Sequence, residues 1–261
     1  MPKRLAWEKN WLHTYGWSWD QIAELEDSDD LTPVEYLTGH APFADFVVEV
    51  NRHVLIPRPE TEKLVALVLR YLADHPLFDT THFSIVDVGT GSGVIALALA
   101  RQLVANNFRS RLLATDLSLE ALALAQRNFA VLAPANMITT LQSDLLASVE
   151  PKTLASNWLL VANLPYIPTP DYLQLESNVR DFEPRLALDG GEDGWQLIER
   201  LLTQALALPT PPAAIFLEID PSHAHYLQKL TSNDPTSVYH WQVVPDRQGL
   251  NRYLIAEKPI L

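Results

Sequence analysis

Ile85-Val86-Asp87-Val88-Gly89-Thr90-Gly91-Ser92-Gly93 is an apolar run that ends in three alternating glycines and opens into Val94-Ile95-Ala96-Leu97-Ala98-Leu99-Ala100. The run reads as a buried strand and the segment after it as a helix. Glycines at the junction let the backbone turn tightly and let a ligand pack against it, while the helix N-terminus adds oriented N–H donors. Outward from this turn, from residue 83 on, apolar runs alternate with amphipathic patterns, the signature of a doubly wound parallel sheet. Strands are expected at 83–88, 111–115, 137–142, 158–162 and 213–219, and helices at about 93–106, 118–130, 193–208 and 221–230, with Ser118 capping the second. Val238 to Val244 and Asn251 to Glu257, separated by a turn containing Gly249, predict an antiparallel hairpin at the sheet edge. The expected fold is therefore α/β, a Rossmann-like doubly wound, mostly parallel sheet with a C-terminal antiparallel hairpin and a small N-terminal helical region.

That N-terminal region holds Trp7, Trp11, Trp17 and Trp19, read as the core of two short helices, with Ser18 and Gln21 spaced as a capping box. The acidic stretch Glu24 to Asp30 reads as a solvated connector. Thr32-Pro33-Val34-Glu35 has the spacing of a second capping box, with Gly39 stopping a helix of little more than a turn. Phe46 to Val50 and Val54 to Ile56 are expected to form a small hairpin, after which Pro57-Arg58-Pro59-Glu60-Thr61-Glu62 opens a helix with Leu64, Val65, Val68 and Leu72 on one stripe. The expected division is a helical region over 1–41, a hairpin and linker over 42–62, and the main domain over 63–261.

At 261 residues with 48% apolar and 20% charged residues, the composition is that of a globular protein, and no apolar run reaches the roughly 18 residues a membrane span needs. No membrane association is expected, and the first residues lack the apolar stretch of a secretory signal. The absence of cysteine excludes disulfides and thiolate metal sites and fits a cytoplasmic protein. A net charge of −13 opposes docking on a polyanion, so no direct nucleic-acid partner is expected, although acidity also serves solubility. His223 and His225, the closest histidine pair, would point differently on a helix, and no metal site is expected.

The glycine turn alone is a weak signal. Gly91-Ser92-Gly93-Val94-Ile95-Ala96 also passes as a loose dinucleotide fingerprint, so NAD competes with S-adenosylmethionine. Asp87, just before the turn, can meet the amino-acid end of S-adenosylmethionine, and Asp116, at the next strand's end, can take both ribose hydroxyls of either cofactor. Past the third strand, Ser143-Asp144-Leu145 offers Asp144 to the adenine amino group; the plainer reading is a loop Asp capping the next turn.

Asn163-Leu164-Pro165-Tyr166 follows the apolar run Asn157 to Ala162. An amide at a strand's end, a proline that cannot extend the ladder and an aromatic ring make a rigid platform able to hold a flat amino or amide group. Asn and Pro are also ordinary turn residues. What favours a site is convergence: Asp87, Asp116, Asp144 and Asn163 all fall at carboxyl ends of strands, where open parallel sheets bind ligands.

These residues stand in longer strings. Glu35-Tyr36-Leu37-Thr38-Gly39, Ile56-Pro57-Arg58-Pro59-Glu60-Thr61-Glu62, the glycine turn, Asn163 to Pro168, Val179 to Gly191 and Leu217-Glu218-Ile219 together resemble the HemK/PrmC family of protein glutamine methyltransferases. The glycine turn is shared by many methyltransferases, whereas the 56–62 string and Glu183-Pro184-Arg185-Leu186-Ala187-Leu188 are far more specific. The resemblance implies a class I S-adenosylmethionine-dependent methyltransferase. Gly89, Thr90, Gly91, Ser92, Gly93, Asp116, Leu145 and Asn163 would contact the cofactor, alongside Asp87 and Asp144 from the reading above. Asn163, Leu164, Pro165 and Tyr166 would form the catalytic tetrapeptide around a substrate glutamine. Phe43 is a further residue expected to face the site, and Arg58, Glu60 and Glu62 would organise the joint beneath it or simply form a salt-bridged helix start.

Leu164 replaces the first of two prolines in the family's tetrapeptide; leucine keeps the backbone carbonyl the chemistry needs. The family's N-terminal helical domain is normally longer than the stretch before Thr32, which leaves the protein substrate less defined than the reaction. The implied reaction is methyl transfer to a glutamine amide nitrogen. The Asn163 side-chain oxygen and the Leu164 carbonyl would accept its two N–H bonds, Tyr166 would wall the flat amide, Pro165 would hold the loop's shape, and no general base is assigned. The implied partner is a peptide chain release factor. A ribosomal protein, an adenine amino group in nucleic acid, and a binding module without turnover are the alternatives; charge and the lack of a base-reading domain disfavour nucleic acid.

Overall fold

The computed structural model describes residues 4–28, 30–75, 78, 82–108, 110–223, 226 and 238–259. Ala6–Thr14 (α1) and Trp19–Asp27 (α2) are the two short helices. Ser18 caps α2 as its spacing predicts, the Gln21 N–H donating to Ser18 Oγ and the Ser18 N–H to Gln21 Oε1. The second capping box does not form. Val34–Thr38 (α3) has Pro33, not Thr32, as its N-cap and no side-chain cap, and the Thr32 hydroxyl donates to Asp30 Oδ1 at 2.5 Å. Gly39, at φ +74°, ends α3 as expected. Leu12, Ile22 and Val34 form a small core of their own with Trp11 and Trp17 packed on it, but Trp7 and Trp19 are half exposed, so only part of the tryptophan set serves as core.

The first hairpin is set differently from the sequence expectation. Phe46–Glu49 (β2) pairs backwards with His40–Phe43 (β1), not forwards with 54–56. Residues 54–56 run unpaired into Pro59–Asp74 (α4), where proline occupies the first turn and Leu64, Val65, Val68 and Leu72 are buried.

The remaining elements follow the alternating pattern: Phe83–Val88 (β3), Val94–Ala105 (α5), Ser110–Asp116 (β4), Leu119–Leu132 (α6), Ile138–Gln142 (β5), Trp158–Ala162 (β6), Thr169–Tyr172 (α7), Ser177–Arg180 (α8), Gln196–Ala207 (α9), Ala214–Glu218 (β7), His240–Pro245 (β8) and Asn251–Glu257 (β9). Ser118 caps α6 through the Ala121 N–H. The sheet order is β5-β4-β3-β6-β7-β9-β8, with β3 to β7 parallel and β9 antiparallel to both its neighbours. Burial on both faces explains why β6 is wholly apolar and why β3 and β7 are apolar but for Ser84, Asp87 and Glu218. One core lies between the sheet, α4, α5, α6 and the β1–β2 hairpin, and a second lies under α9. After β3 the chain builds outward through β4 and β5, then returns to place β6 on β3's other side. This is the topological switch point at which such sheets open a ligand crevice.

Pro221–His223 is a 3₁₀ turn at the start of the expected 221–230 helix; most of that range, with His225, lies outside the described residues. Among the described residues no helix is long and apolar enough to cross a membrane, and no group of three or more acidic or histidine side chains could hold a metal ion.

Candidate active site

A cavity of about 350 Å³ opens at the carboxyl ends of β3, β4, β5 and β6. Gly89 to Ser92, Asp116, Ser143 to Leu145, and Asn163 to Pro165 line it, together with Arg58 and Thr61 from the start of α4. Four strand ends chosen from sequence thus meet in one place.

The glycine turn is held from below, where the Gly89 and Thr90 N–H groups both donate to the Thr115 carbonyl at 2.9 Å. A Cβ on Gly91 would meet nothing within 4 Å, so the turn presents bare backbone to the cavity. Gly93 does not line the cavity; a Cβ there would stand 2.5 Å from the Phe129 ring, so this glycine is needed for close packing against α6.

Asp87 also stands apart from the cavity lining, against expectation. It is fully buried on the α5 side of β3, where Oδ2 accepts from the Thr90 hydroxyl at 2.7 Å and from the Ala96 N–H at 3.2 Å. Oδ1 has no hydrogen-bond partner among the described residues, and burial pushes this carboxyl up to about 7. Its role in the fold is to tie the glycine turn to the first turn of α5. Asp116 does reach the cavity. Its Oδ2 accepts from the Gly91 N–H and its Oδ1 from the Ser118 N–H, both at 2.9 Å, and burial raises its pKa against those bonds. Asp144 lies at the more open rim, where Arg200 donates to it at 2.6 Å. Leu145 is buried against the cavity with its backbone at φ +56°, a conformation uncommon for a residue with a side chain.

Asn163 leads the second half of the site. Its Nδ2 donates to Thr61 Oγ1 at 3.0 Å, and the Thr61 hydroxyl donates to Glu218 Oε2 at 2.9 Å. Neither Asn163 Oδ1 nor the Leu164 carbonyl oxygen accepts a hydrogen bond from the described residues. Two acceptors on adjacent residues therefore remain unspent beside the cavity. Leu164 is buried over Gly89. Tyr166 does not line the cavity; its hydroxyl donates to Glu218 Oε1 at 3.4 Å and its ring packs on the core beneath α9. Phe43 is likewise turned into the core, against Phe46, and does not face the site.

The strings that flank the tetrapeptide brace it. Ile167 and Asp189 pair as a parallel bridge, the Ile167 N–H donating to Leu188 O and the Gly190 N–H to Ile167 O. Glu183, 5% exposed, accepts from the Arg58 guanidinium and, at 3.3 Å, from the Ile56 N–H. The segments 56–62 and 183–191 are thus joined to each other and to the loop carrying Asn163.

The description "Methyltransferase small domain" matches residues 66–166. A release factor glutamine methyltransferase of Moorella thermoacetica is 41% identical over 224 residues, covering 86% of this chain and 74% of that relative. The chain belongs to the release factor glutamine methyltransferase family. A second member, from Enterococcus faecalis, is 33% identical over 98% of this chain and 89% of its own length. Among solved structures, the E. cuniculi Mtq2–Trm112 complex, described as responsible for methylating the eRF1 translation termination factor, is 20% identical. It has a TM-score of 0.51 and covers 80% of this chain and 99% of that one. The human METTL16 catalytic domain in complex with an RNA hairpin is 14% identical with a TM-score of 0.59, covering 80% of this chain and 74% of that one. These two likenesses establish the methyltransferase fold.

In this member of the release factor glutamine methyltransferase family, four residues at the site carry roles that sequence reasoning did not assign. Thr61, Glu183 and Glu218 are described above. Asn128 on α6 donates from Nδ2 to Ser92 O and Glu49 O, and its Oδ1 accepts from the Glu49 N–H, tying the glycine turn to the β1–β2 hairpin. The signals available for Glu218 were its place in the Leu217-Glu218-Ile219 string and a carboxylate closing the apolar strand Ala214 to Leu217. Glu62 accepts from the Ala44 N–H at the hairpin turn, and the Glu60 carbonyl accepts from the Tyr253 hydroxyl. Both brace the joint, and neither lines the cavity.

Proposed function

We propose that this protein transfers a methyl group from S-adenosylmethionine to the side-chain amide nitrogen of a protein glutamine, that of the Gly-Gly-Gln segment of a peptide chain release factor. The observation that carries the reading is the pair of unspent acceptors, Asn163 Oδ1 and Leu164 O, next to a cavity whose other wall is a bare glycine turn. Two adjacent acceptors match the two N–H bonds of a primary amide.

The donor set fits the cofactor. Gly91 offers backbone without a side chain, Asp116 offers a carboxylate for a ribose diol, and Leu145 offers an apolar wall for a base. S-adenosylmethionine supplies an electrophilic methyl group on a sulfonium. Asn163 and Leu164 hold the amide nitrogen by both its hydrogens, which orients its weak lone pair and favours the positive charge that grows there as the bond to the methyl forms. Pro165 keeps the loop rigid, and Tyr166 anchors it at Glu218. None of these residues acts as a general base. The methylated nitrogen is acidic enough to release its proton to water.

For the chain's organisation we propose a helical region over 1–41, a hairpin and linker over 42–62 and a methyltransferase domain from 63. The separate core of α1 to α3 supports setting the helical region apart, while the hairpin packs on the core of the main domain. Because a release factor works on the ribosome, the proposed substrate places the reaction in the cytoplasm.

The test is incubation with methyl-labelled S-adenosylmethionine and a release factor, beside the same factor with its Gly-Gly-Gln glutamine changed to alanine and beside the Asn163→Ala enzyme. Label on the wild-type pair alone is expected. Label that persists on the alanine variant of the factor overturns the target.

A further inference from the structure

An asparagine amide can be turned over without changing its shape, yet the proposed reaction needs the oxygen of Asn163, not its NH2, to face the substrate. Direction is supplied by the chain of bonds behind it. A hydroxyl has one hydrogen to give, and an ionised carboxylate can only accept. The Thr61 hydrogen is spent on Glu218 Oε2 at 2.9 Å, so Thr61 can meet Asn163 only as an acceptor, at 3.0 Å. The amide must then direct its NH2 to Thr61 and leave Oδ1 for the cavity.

We propose that Thr61 and Glu218 are positioning residues that fix which way the Asn163 amide faces and so make it competent to hold the substrate nitrogen. The inference rests on the methyl-transfer reading above and adds to it residues that do not touch the reacting atoms. Glu218 suits the part because its other oxygen takes the Tyr166 hydroxyl, so one carboxylate sets both ends of the tetrapeptide. It is 2% exposed at the end of β7, away from competing water.

The arrangement depends on the charge of Glu218. The groups that face it are Glu60 and Thr61 from α4, Tyr166 from the loop after β6, and Arg252 and Tyr253 from β9. Burial is the largest influence and pushes the carboxyl up to about 7; Thr61 and Arg252 pull it down and Glu60 pushes it up. Once protonated, Glu218 donates to Thr61, and the freed Thr61 hydrogen can go to Asn163 Oδ1. The amide then turns its NH2 toward the cavity, where it opposes the N–H bonds of the substrate.

Three variants test this: Thr61→Val, Thr61→Ser and Glu218→Gln, read by steady-state kinetics across pH, by calorimetric binding of S-adenosylmethionine and by the side-chain amide NMR signal of Asn163. Thr61→Val is expected to lower kcat on the order of 10- to 100-fold with cofactor binding unchanged, and Thr61→Ser to recover most of it. In the wild type the Asn163 amide signal and kcat should change together with pH, and Glu218→Gln should abolish both changes. Equal impairment of the serine and valine variants, or a Thr61→Val enzyme of wild-type kcat, overturns the proposal. So does an Asn163 signal indifferent to pH in the wild type. Failure of the functional reading looks different: the wild type labels no release factor, and the amide signal alone then decides the orientation.

Discussion

Gly190 stands so close to the loop after β6 that a Cβ on it would lie 2.7 Å from the Pro165 carbonyl oxygen and 2.8 Å from the Tyr166 Cα. Both neighbours are backbone and cannot swing aside. The Gly190 N–H is meanwhile held by Ile167 O at 2.8 Å, so glycine and loop form one unit. Gly190→Ala must therefore push the tetrapeptide, and a displacement near 1 Å at a positioning group costs about 10²-fold in rate. The expected outcome is a fall in kcat of that order with cofactor affinity retained, because the glycine turn sits on another strand. Unchanged kcat in a folded Gly190→Ala protein would show that the loop is not seated by this contact.

Arg58 and Glu183 join the two strings that flank the site. Glu183 is almost fully buried and also accepts from the Ile56 N–H, so Glu183→Ala strands a cation and a backbone donor together. Because the Arg58 side chain is one-third exposed, solvent softens the loss, and a destabilisation of about 1–3 kcal/mol is expected in urea unfolding. Arg58→Leu combined with Glu183→Leu should cost less than the two single changes added together. Strict additivity would mean that the pair does not couple the strings.

Strand ends were legible in the sequence because β3, β6 and β7 are buried on both faces and are predominantly apolar, up to Gly89, Asn163 and Glu218. The first hairpin was not, since β1 reads His40-Ala41-Pro42-Phe43, and a proline in a run argues against a strand unless it lies at an edge. Val54 to Ile56 looked like a strand, but its burial is satisfied by packing and by Glu183 accepting the Ile56 N–H. Site residues on cavity-facing turns could be chosen from strand ends alone. Thr61 and Glu218 could not, because their roles lie in hydrogen bonds that span 102 and 157 positions of sequence. Asp87 was misplaced because its position before the turn says nothing about which face of β3 its carboxyl takes.

Asp116 and Asp144 looked alike in the sequence and differ in the structure. Asp116 receives the Gly91 and Ser118 N–H groups and so shapes the turn besides facing the cavity. Asp144 is half exposed at the rim and paired with Arg200. Calorimetry with S-adenosylmethionine should show Asp116→Ala weakening binding by about 10- to 100-fold, from loss of the charged acceptor and of the turn's tether. Asp144→Ala should change it by no more than about 0.5 kcal/mol, the usual scale for an exposed pair. Equal losses would place the two carboxylates on the same footing at the cofactor.

Asp87 gives the fold a pH dependence whose sign follows from its burial. Its carboxyl is pushed up from an ordinary 3.8 to about 7, so the folded chain holds the proton more tightly than the unfolded chain does. Below pH 3.8 both states are protonated and the resulting stabilisation is complete. Between 3.8 and 7 the unfolded chain gives up its proton first and the stabilisation drains away, at up to about 1.4 kcal/mol per pH unit; above 7 it is gone. Asp87→Asn carries no charge at any pH and keeps an oxygen for the Thr90 hydroxyl and the Ala96 N–H. Compared with the wild type, the variant should therefore gain about 2–3 kcal/mol in relative stability between pH 5 and pH 8, measured by urea unfolding at both. Glu218 titrates in the same range in both proteins and cancels from the difference. A gap between wild type and variant that is identical at the two pH values would mean that Asp87 holds no proton in the folded protein within this range.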